Sequence, residues 1–163
     1  DSSLPWFIYG HSMGGLISHG LLQTLNERPF EALRGAVISA PLFGLAMKVN
    51  PIKQMLANML YKLAPRFALD PGIPPNTISR DSAEVETYKS DDRRTKVVSA
   101  GWAHAMDEAI AEVADKLGSI QTPMYWYVGS GDLLCDHHAT LAAFERLSEA
   151  AALDQSLRVF DCY

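Results

Sequence analysis

The residues with the clearest capacity for chemistry are Gly10-His11-Ser12-Met13-Gly14-Gly15, which follow the apolar run Trp6 to Tyr9 and lead into Leu16-Ile17-Ser18. A serine in a Gly-x-Ser-x-Gly frame between strand and helix is held on a sharp turn with its hydroxyl at the tip. The strained backbone of that turn calls for neighbours with almost no side chain two positions to either side, and Gly10 and Gly14 meet the need. The hydroxyl then stands at a helix N-terminus, whose unpaired N–H groups favour developing negative charge. Ser12 is therefore a candidate acyl-transfer nucleophile, and the Met13 backbone N–H is the first candidate donor to an oxyanion. Ordinary strand-to-helix turns share the frame. The apolar strand before it, the helix carrying Leu16, Leu21, Leu22 and Leu25 after it, and Gly15, which permits close packing under a sheet, favour the nucleophile.

Such a serine needs an acid and then a histidine further along the chain. Asp132 closes Gly129-Ser130-Gly131-Asp132, just past the aromatic strand candidate Pro123 to Val128. Loops at the carboxyl ends of strands are where catalytic groups of open α/β sheets gather. Asp132 there would hold an imidazole in its productive tautomer; the alternative is a turn aspartate capping the next helix. Asp136 competes for the role but opens the segment with His137 and His138 and reads as a helix N-cap. None of the five histidines suits the part of the base: His11 lies in the turn, His19 two turns into the helix, His104 in a helical block, and His137 and His138 ahead of the last strand. A metal site from Asp132, Asp136, His137 and His138 is disfavoured because adjacent histidines on a helix point apart.

Composition narrows the class. Hydrophobic residues make up 48% of the 163, enough for a sizeable core in one domain, and no run approaches a membrane span. A net charge of -5 argues against a nucleic-acid surface, and the basic cluster Lys89, Arg93, Arg94 and Lys96 is interleaved with Asp91 and Asp92. Two cysteines, Cys135 and Cys162, are too few for a disulfide scaffold and read as reduced thiols. The chain starts at Asp1, close to the first strand, and so carries no information on a signal peptide.

The elements that position these groups follow from periodicity. A helix is expected from Ser12 to Asn26, then a short strand over 34–40 that suits burial on both faces of a parallel sheet, completing a right-handed crossover. Pro51 to Leu63 carries Ile52, Met55, Leu56, Met59, Leu60 and Leu63 at helical spacing, either a lid lining an acyl channel or a helix packed on the core. A proline-rich stretch from Pro65 to Pro75 follows, then a short helix begun by Asp81 and Glu84 at capping-box spacing. A longer helix over 99–117 places Trp102, Met106, Ile110, Val113 and Leu117 on one side. No strand is expected between Leu42 and Ser119, so this block reads as a helical insertion. The strand at 123–128, a helix over 136–151 and a last strand over 156–161 complete an α/β class chain, a parallel sheet with flanking helices.

Gly10 to Gly15, Ser39-Ala40-Pro41, Ser79-Arg80-Asp81 with Tyr88 and Asp91, and Gly129-Ser130-Gly131-Asp132-Leu133-Leu134-Cys135-Asp136 together resemble the monoacylglycerol lipase and lysophospholipase branch of the α/β-hydrolases. The resemblance runs along nearly the whole chain, in order. It implies a partial α/β-hydrolase fold with core segments at 1–41 and 119–163 and a helical cap at 42–118 over an acyl pocket. It also implies a serine esterase with Ser12 as nucleophile, Asp132 as acid and Met13 lining the oxyanion hole. His11 and the methionines Met47, Met55 and Met59 would serve substrate binding. A lipid or small ester is the expected substrate, with transient membrane-surface contact through the cap, no nucleic acid partner, and no metal or organic cofactor. The expected location is the cytoplasm or the periphery of a membrane. The family's first strands would precede Asp1 and its catalytic histidine would follow Tyr163, so these 163 residues are expected to be inactive alone. The alternatives are another α/β-hydrolase chemistry, such as a peptidase or thioesterase, and a non-catalytic binding protein.

Overall fold

A computed structural model describes residues 4–47, 51–150 and 154–161. Four strands form a parallel sheet in the order β1 (Trp6–His11), β2 (Leu33–Ser39), β5 (Met124–Gly129), β6 (Gln155–Phe160). The helix α1 (Met13–Glu27) crosses from β1 to β2, and α5 (His137–Ala150) from β5 to β6. Between β2 and β5 lie α2 (Pro51–Leu63), β3 (Ala68–Leu69), α3 (Ser82–Ser90), β4 (Val98–Ser99) and α4 (Ala100–Asp115), with short 3-10 turns at Pro75–Thr77 and Leu117–Ser119. The chain clusters into two compact units, one of residues up to Ala46 and from Ala109 onward, the other Met47–Glu108.

In the first unit, register explains the core. Ile38 pairs with Trp126, and both side chains are fully buried, as are Leu16 and Leu22 of α1 and Leu147 of α5. Burying an aliphatic side chain of this size stabilises by roughly 1.5–3 kcal/mol, so this layer is the main source of cohesion in the unit. Phe144 of α5 closes edge-on against Trp126 with ring centroids 5.7 Å apart. The expectation that β2 is buried on both faces is only partly met. Val37 is half-buried and Arg34 exposed, while in β5 burial alternates: Met124, Trp126 and Val128 are covered, Tyr125 is not. Phe7 and Tyr9, which register places on the same sheet face as Tyr125, are also exposed. Tyrosine hydroxyls let such a face meet water.

The second unit corrects the expectation of no strands between Leu42 and Ser119. Ala68–Leu69 and Val98–Ser99 pair antiparallel. Two-residue strands are too short to show alternation, so they leave no periodic signal. They are joined to the start of α4 by Ala100 N–H to Phe67 O at 3.0 Å and Gly101 N–H to Pro65 O at 2.8 Å. The α3 helix begins as expected, with the Asp81 carboxylate accepting from Ala83 N–H at 2.8 Å. Tyr61 of α2 stacks on His104 of α4 at 3.7 Å, and Gln54 donates to Asp107 at 3.2 Å. Along α2 the apolar residues Met55, Leu56, Met59 and Leu63 are exposed. No helix among the described residues is long and apolar enough to cross a membrane.

Candidate active site

Ser12 sits between β1 and α1 with φ 53° and ψ −121°, a left-handed backbone that costs a non-glycine residue on the order of 1–3 kcal/mol. It is held there from several sides. Its N–H donates to Ser39 O at 2.9 Å, and its carbonyl accepts from Gly15 N–H at 2.9 Å and from Leu42 N–H at 3.1 Å. The expected need for small neighbours is correct at Gly10, where a Cβ would stand 2.4 Å from Ser18 Oγ and 2.6 Å from the Gly14 carbonyl. It is not correct at Gly14, whose added Cβ would meet nothing within 4 Å. The second close approach is at Gly15, where a Cβ would lie 2.8 Å from Pro41 Cβ. Gly15 thus lets α1 pack on the loop after β2.

Met13, exposed, opens α1, so its N–H is among the helix's unpaired first-turn donors. His11 is exposed beside Ser12, and its Nδ1 hydrogen-bonds Ser39 Oγ at 2.9 Å. Met55 and Met59 belong to α2 in the helical unit, both exposed.

Asp132 is half-buried past the end of β5. Its Oδ1 accepts from Leu134 N–H at 2.8 Å and from Cys135 N–H at 2.9 Å. The α5 N-terminus is capped instead by Asp136, whose carboxylate accepts from His138 N–H at 2.9 Å. The two aspartates therefore divide the work as the sequence suggested for Asp136, and the turn reading of Asp132 survives only as support for its own loop. That loop is zipped to the segment after β2: Ala46 N–H donates to Leu134 O at 3.0 Å, and Asp136 N–H to Gly44 O at 3.0 Å. The clasp brings Cys135 Sγ to 3.5 Å from Ser12 Oγ. Burial pushes the Cys135 thiol above its ordinary range, the hydrogen bond with the Ser12 hydroxyl acts the other way, and the Asp132 charge adds a smaller upward push.

Beside Asp132 a cleft of about 610 Å³ opens, lined by Ser39, Ala40, Tyr127, Val128, Gly129, Asp132 and Phe160. Ser39 and Cys135 are the contacts that sequence reasoning missed. The only signals were Ser39-Ala40-Pro41 at the end of a strand and a cysteine three residues after Asp132. The remaining histidines stand elsewhere: His19 in the core, His104 against Tyr61 and Glu108, His137 tilted against His138 with ring centroids 4.0 Å apart. Among the described residues none of them hydrogen-bonds Ser12 or Asp132.

A parallel sheet with crossover helices, a left-handed serine between strand and helix, and an aspartate loop beyond a later strand define an α/β-hydrolase. The sequence matches the family described as "Serine aminopeptidase, S33" over residues 1–162, and the chain belongs to that family. It is similar to the human monoglyceride lipase, 28% identical over 159 residues that cover 97% of this chain and 50% of the relative. Its fold is that of the crystal structure of a Paleococcus ferrophilus monoacylglycerol lipase, with TM-score 0.83, 24% identity, and coverage of 97% of this chain and 59% of that one. A soluble variant of monoglyceride lipase from Saccharomyces cerevisiae, solved in complex with a substrate analog, superposes with TM-score 0.80 at 24% identity, covering 96% and 53%. The chain spans about half the length of these relatives.

Proposed function

We propose that the protein is a serine hydrolase of carboxylic esters of lipids, such as monoacylglycerols or lysophospholipids. Ser12 Oγ attacks the ester carbonyl as its proton passes to an imidazole, the Met13 N–H receives the oxyanion, and the alcohol leaves with that proton. Water then releases the fatty acid from acyl-Ser12 by the same steps. Asp132 orients the imidazole through the carboxylate oxygen not used by Leu134 and Cys135. His11, its Nδ1 tied to Ser39, offers Nε2 to the substrate, and the helical unit serves as a cap, with Met55 and Met59 adapting to acyl chains and to a lipid surface. These steps use the chain's own groups, an imidazole and water.

The observation that carries the reading is the left-handed Ser12 at the tip of a strand-to-helix turn, held there by Ser39, Gly15 and Leu42, the strained setting that a nucleophile turn calls for. The names of the relatives support lipid esters, as does the exposed apolar stripe of α2. A peptidase is the second reading, favoured by the family's own description.

The proposed reaction requires an imidazole beside Asp132, and the test supplies one. Turnover of p-nitrophenyl butyrate and of a monoacylglycerol is measured with and without added imidazole, alongside labelling by a fluorophosphonate. We expect imidazole-dependent turnover and a mass increase on Ser12, both absent in Ser12→Ala. Folded protein that neither turns over ester nor labels at Ser12 in either condition rejects the nucleophile. A peptide panel run beside the lipid panel decides the leaving group.

A further inference from the structure

His19 is a titratable side chain that the proposed reaction does not use, and it lies wholly inside the first unit, with 0% of its surface exposed. Its ring is boxed edge-on by Phe43 of the loop after β2, centroids 5.0 Å apart, and by Trp126 of β5 at 4.6 Å. Nδ1 lies 2.7 Å from the Gly15 carbonyl one turn earlier, which fixes the proton on Nδ1 and leaves Nε2 as a bare acceptor. Among the described residues no hydrogen-bond partner reaches Nε2. Gly15 is the residue that packs α1 against Pro41, and its N–H binds the Ser12 carbonyl, so the boxed ring supports the turn that carries the candidate nucleophile.

We propose that His19 makes this core acid-labile: a proton arriving on Nε2 places a charge in a closed aromatic box with no acceptor, and the box opens, withdrawing support from the Ser12 turn. Among the described residues no ionisable side chain hydrogen-bonds the ring; on β1 His11 is exposed, and at the end of α4 that meets α1, Glu112 and Lys116 are exposed and paired with each other and Asp115 is exposed. The loop from Pro41 to Ala46 has no ionisable side chain. Tyr125 and Tyr127 of β5 alternate onto the opposite sheet face from Trp126, and Arg34 of β2 is exposed. Glu27 at the end of α1 and Arg28 just after it lie two turns away and exposed; on α5, His138, Glu145, Arg146 and Glu149 are exposed, His137 is half-buried against His138, and Asp136 caps the helix. Loss of water is accordingly the main influence on the ring, lowering its pKa from 6.5 to about 4, with the Gly15 carbonyl acting weakly the other way. The folded state holds the ring neutral more firmly than the unfolded chain does. The stability this confers is complete above pH 6.5 and is lost as pH falls towards about 4, where the folded ring itself takes up the proton. Over that window the folding equilibrium constant should fall by a factor on the order of a hundred from this one group.

The experiment is urea unfolding of the protein from pH 7 to pH 4 beside His19→Leu and His19→Phe, with the imidazole signals followed by NMR in the unsubstituted protein. The proposal expects the unsubstituted protein to lose stability with a one-proton slope that both variants lack. It also expects the His19 ring to stay in the Nδ1–H form until Phe43 and Trp126 signals shift together with it. Parallel loss in all three proteins overturns it. Should neither variant fold, the NMR titration decides alone, and a His19 ring that protonates while the Phe43 and Trp126 signals stay fixed overturns it equally. None of these readouts involves ester turnover, so the result is independent of the proposed reaction.

Discussion

Ser12 and Cys135, separated by 123 positions in the chain, meet at 3.5 Å between Oγ and Sγ. Asp132 is what makes the meeting possible, because its carboxylate gathers the N–H groups of Leu134 and Cys135 and so turns the chain back toward β2. The same side chain is thus asked to shape a loop with one oxygen and, in the proposed reaction, to orient an imidazole with the other. Two substitutions separate these tasks. Asp132→Asn keeps an acceptor for both N–H groups and should leave stability within about 0.5 kcal/mol while abolishing imidazole-dependent turnover. Asp132→Ala leaves both half-buried donors unpaired and should cost about 1–3 kcal/mol in urea unfolding. Equal stabilities for the two variants would show that the carboxylate does not hold the loop.

The glycines of the turn differ in what they must avoid. Gly10→Ala drives a methyl into Ser18 Oγ and the Gly14 carbonyl, and the backbone atom cannot step aside. Unfolding measurements should show a loss of about 1–3 kcal/mol, the usual cost of overpacking. Gly14→Ala meets open space within the first turn of α1, and removing a glycine from a helix gains up to about 1 kcal/mol. The expected order of stability is Gly14→Ala at or above the unsubstituted protein, and Gly10→Ala well below it.

Cys135 is 2% exposed and its thiol titrates above the ordinary range because of burial, with the neighbouring Asp132 charge acting in the same direction. Only the thiolate is alkylated. Iodoacetamide at pH 8 should therefore modify Cys135 in the folded protein on the order of a hundred times more slowly than in urea, read peptide by peptide by mass spectrometry. Asp132→Asn removes the charge and should speed the folded-state reaction. A Cys135 that reacts as fast folded as unfolded contradicts the placement of this loop.

The sheet was legible because β1, β2 and β5 are short apolar runs bounded by Gly or Pro, and α1, α2 and α5 carry helical periodicity between them. Ser12 was legible for the same reason that it is strained: only a few residue types tolerate the turn, and they announce it. What stayed hidden depends on contacts across the chain. The close packing expected at Gly15 is there, made against Pro41 and Ile38, but the open space beside Gly14 has no local sign, since what an added Cβ would meet is set by residues far along the chain. The two-residue strands Ala68–Leu69 and Val98–Ser99 exist through a pairing that neither segment encodes alone. His19 read as one more helical residue, and its burial follows from Phe43 and Trp126 arriving on either side.

Ser12 offers a test of strain apart from chemistry. At φ 53° a side chain is crowded by its own backbone, and the residue stays there because backbone hydrogen bonds with Ser39, Gly15, Leu16 and Leu42 hold it. Ser12→Ala removes the hydroxyl but keeps the Cβ and therefore keeps the strain. Ser12→Gly removes both. Release of left-handed strain is worth about 1–3 kcal/mol, and the extra freedom of glycine in the unfolded chain takes back about 0.4–1 kcal/mol. The glycine variant should therefore unfold about 1 kcal/mol later than the alanine variant, with neither labelled by a fluorophosphonate. If alanine proves the more stable of the two, the turn is relaxed, and the stored strain that argues for a nucleophile at this position is not there.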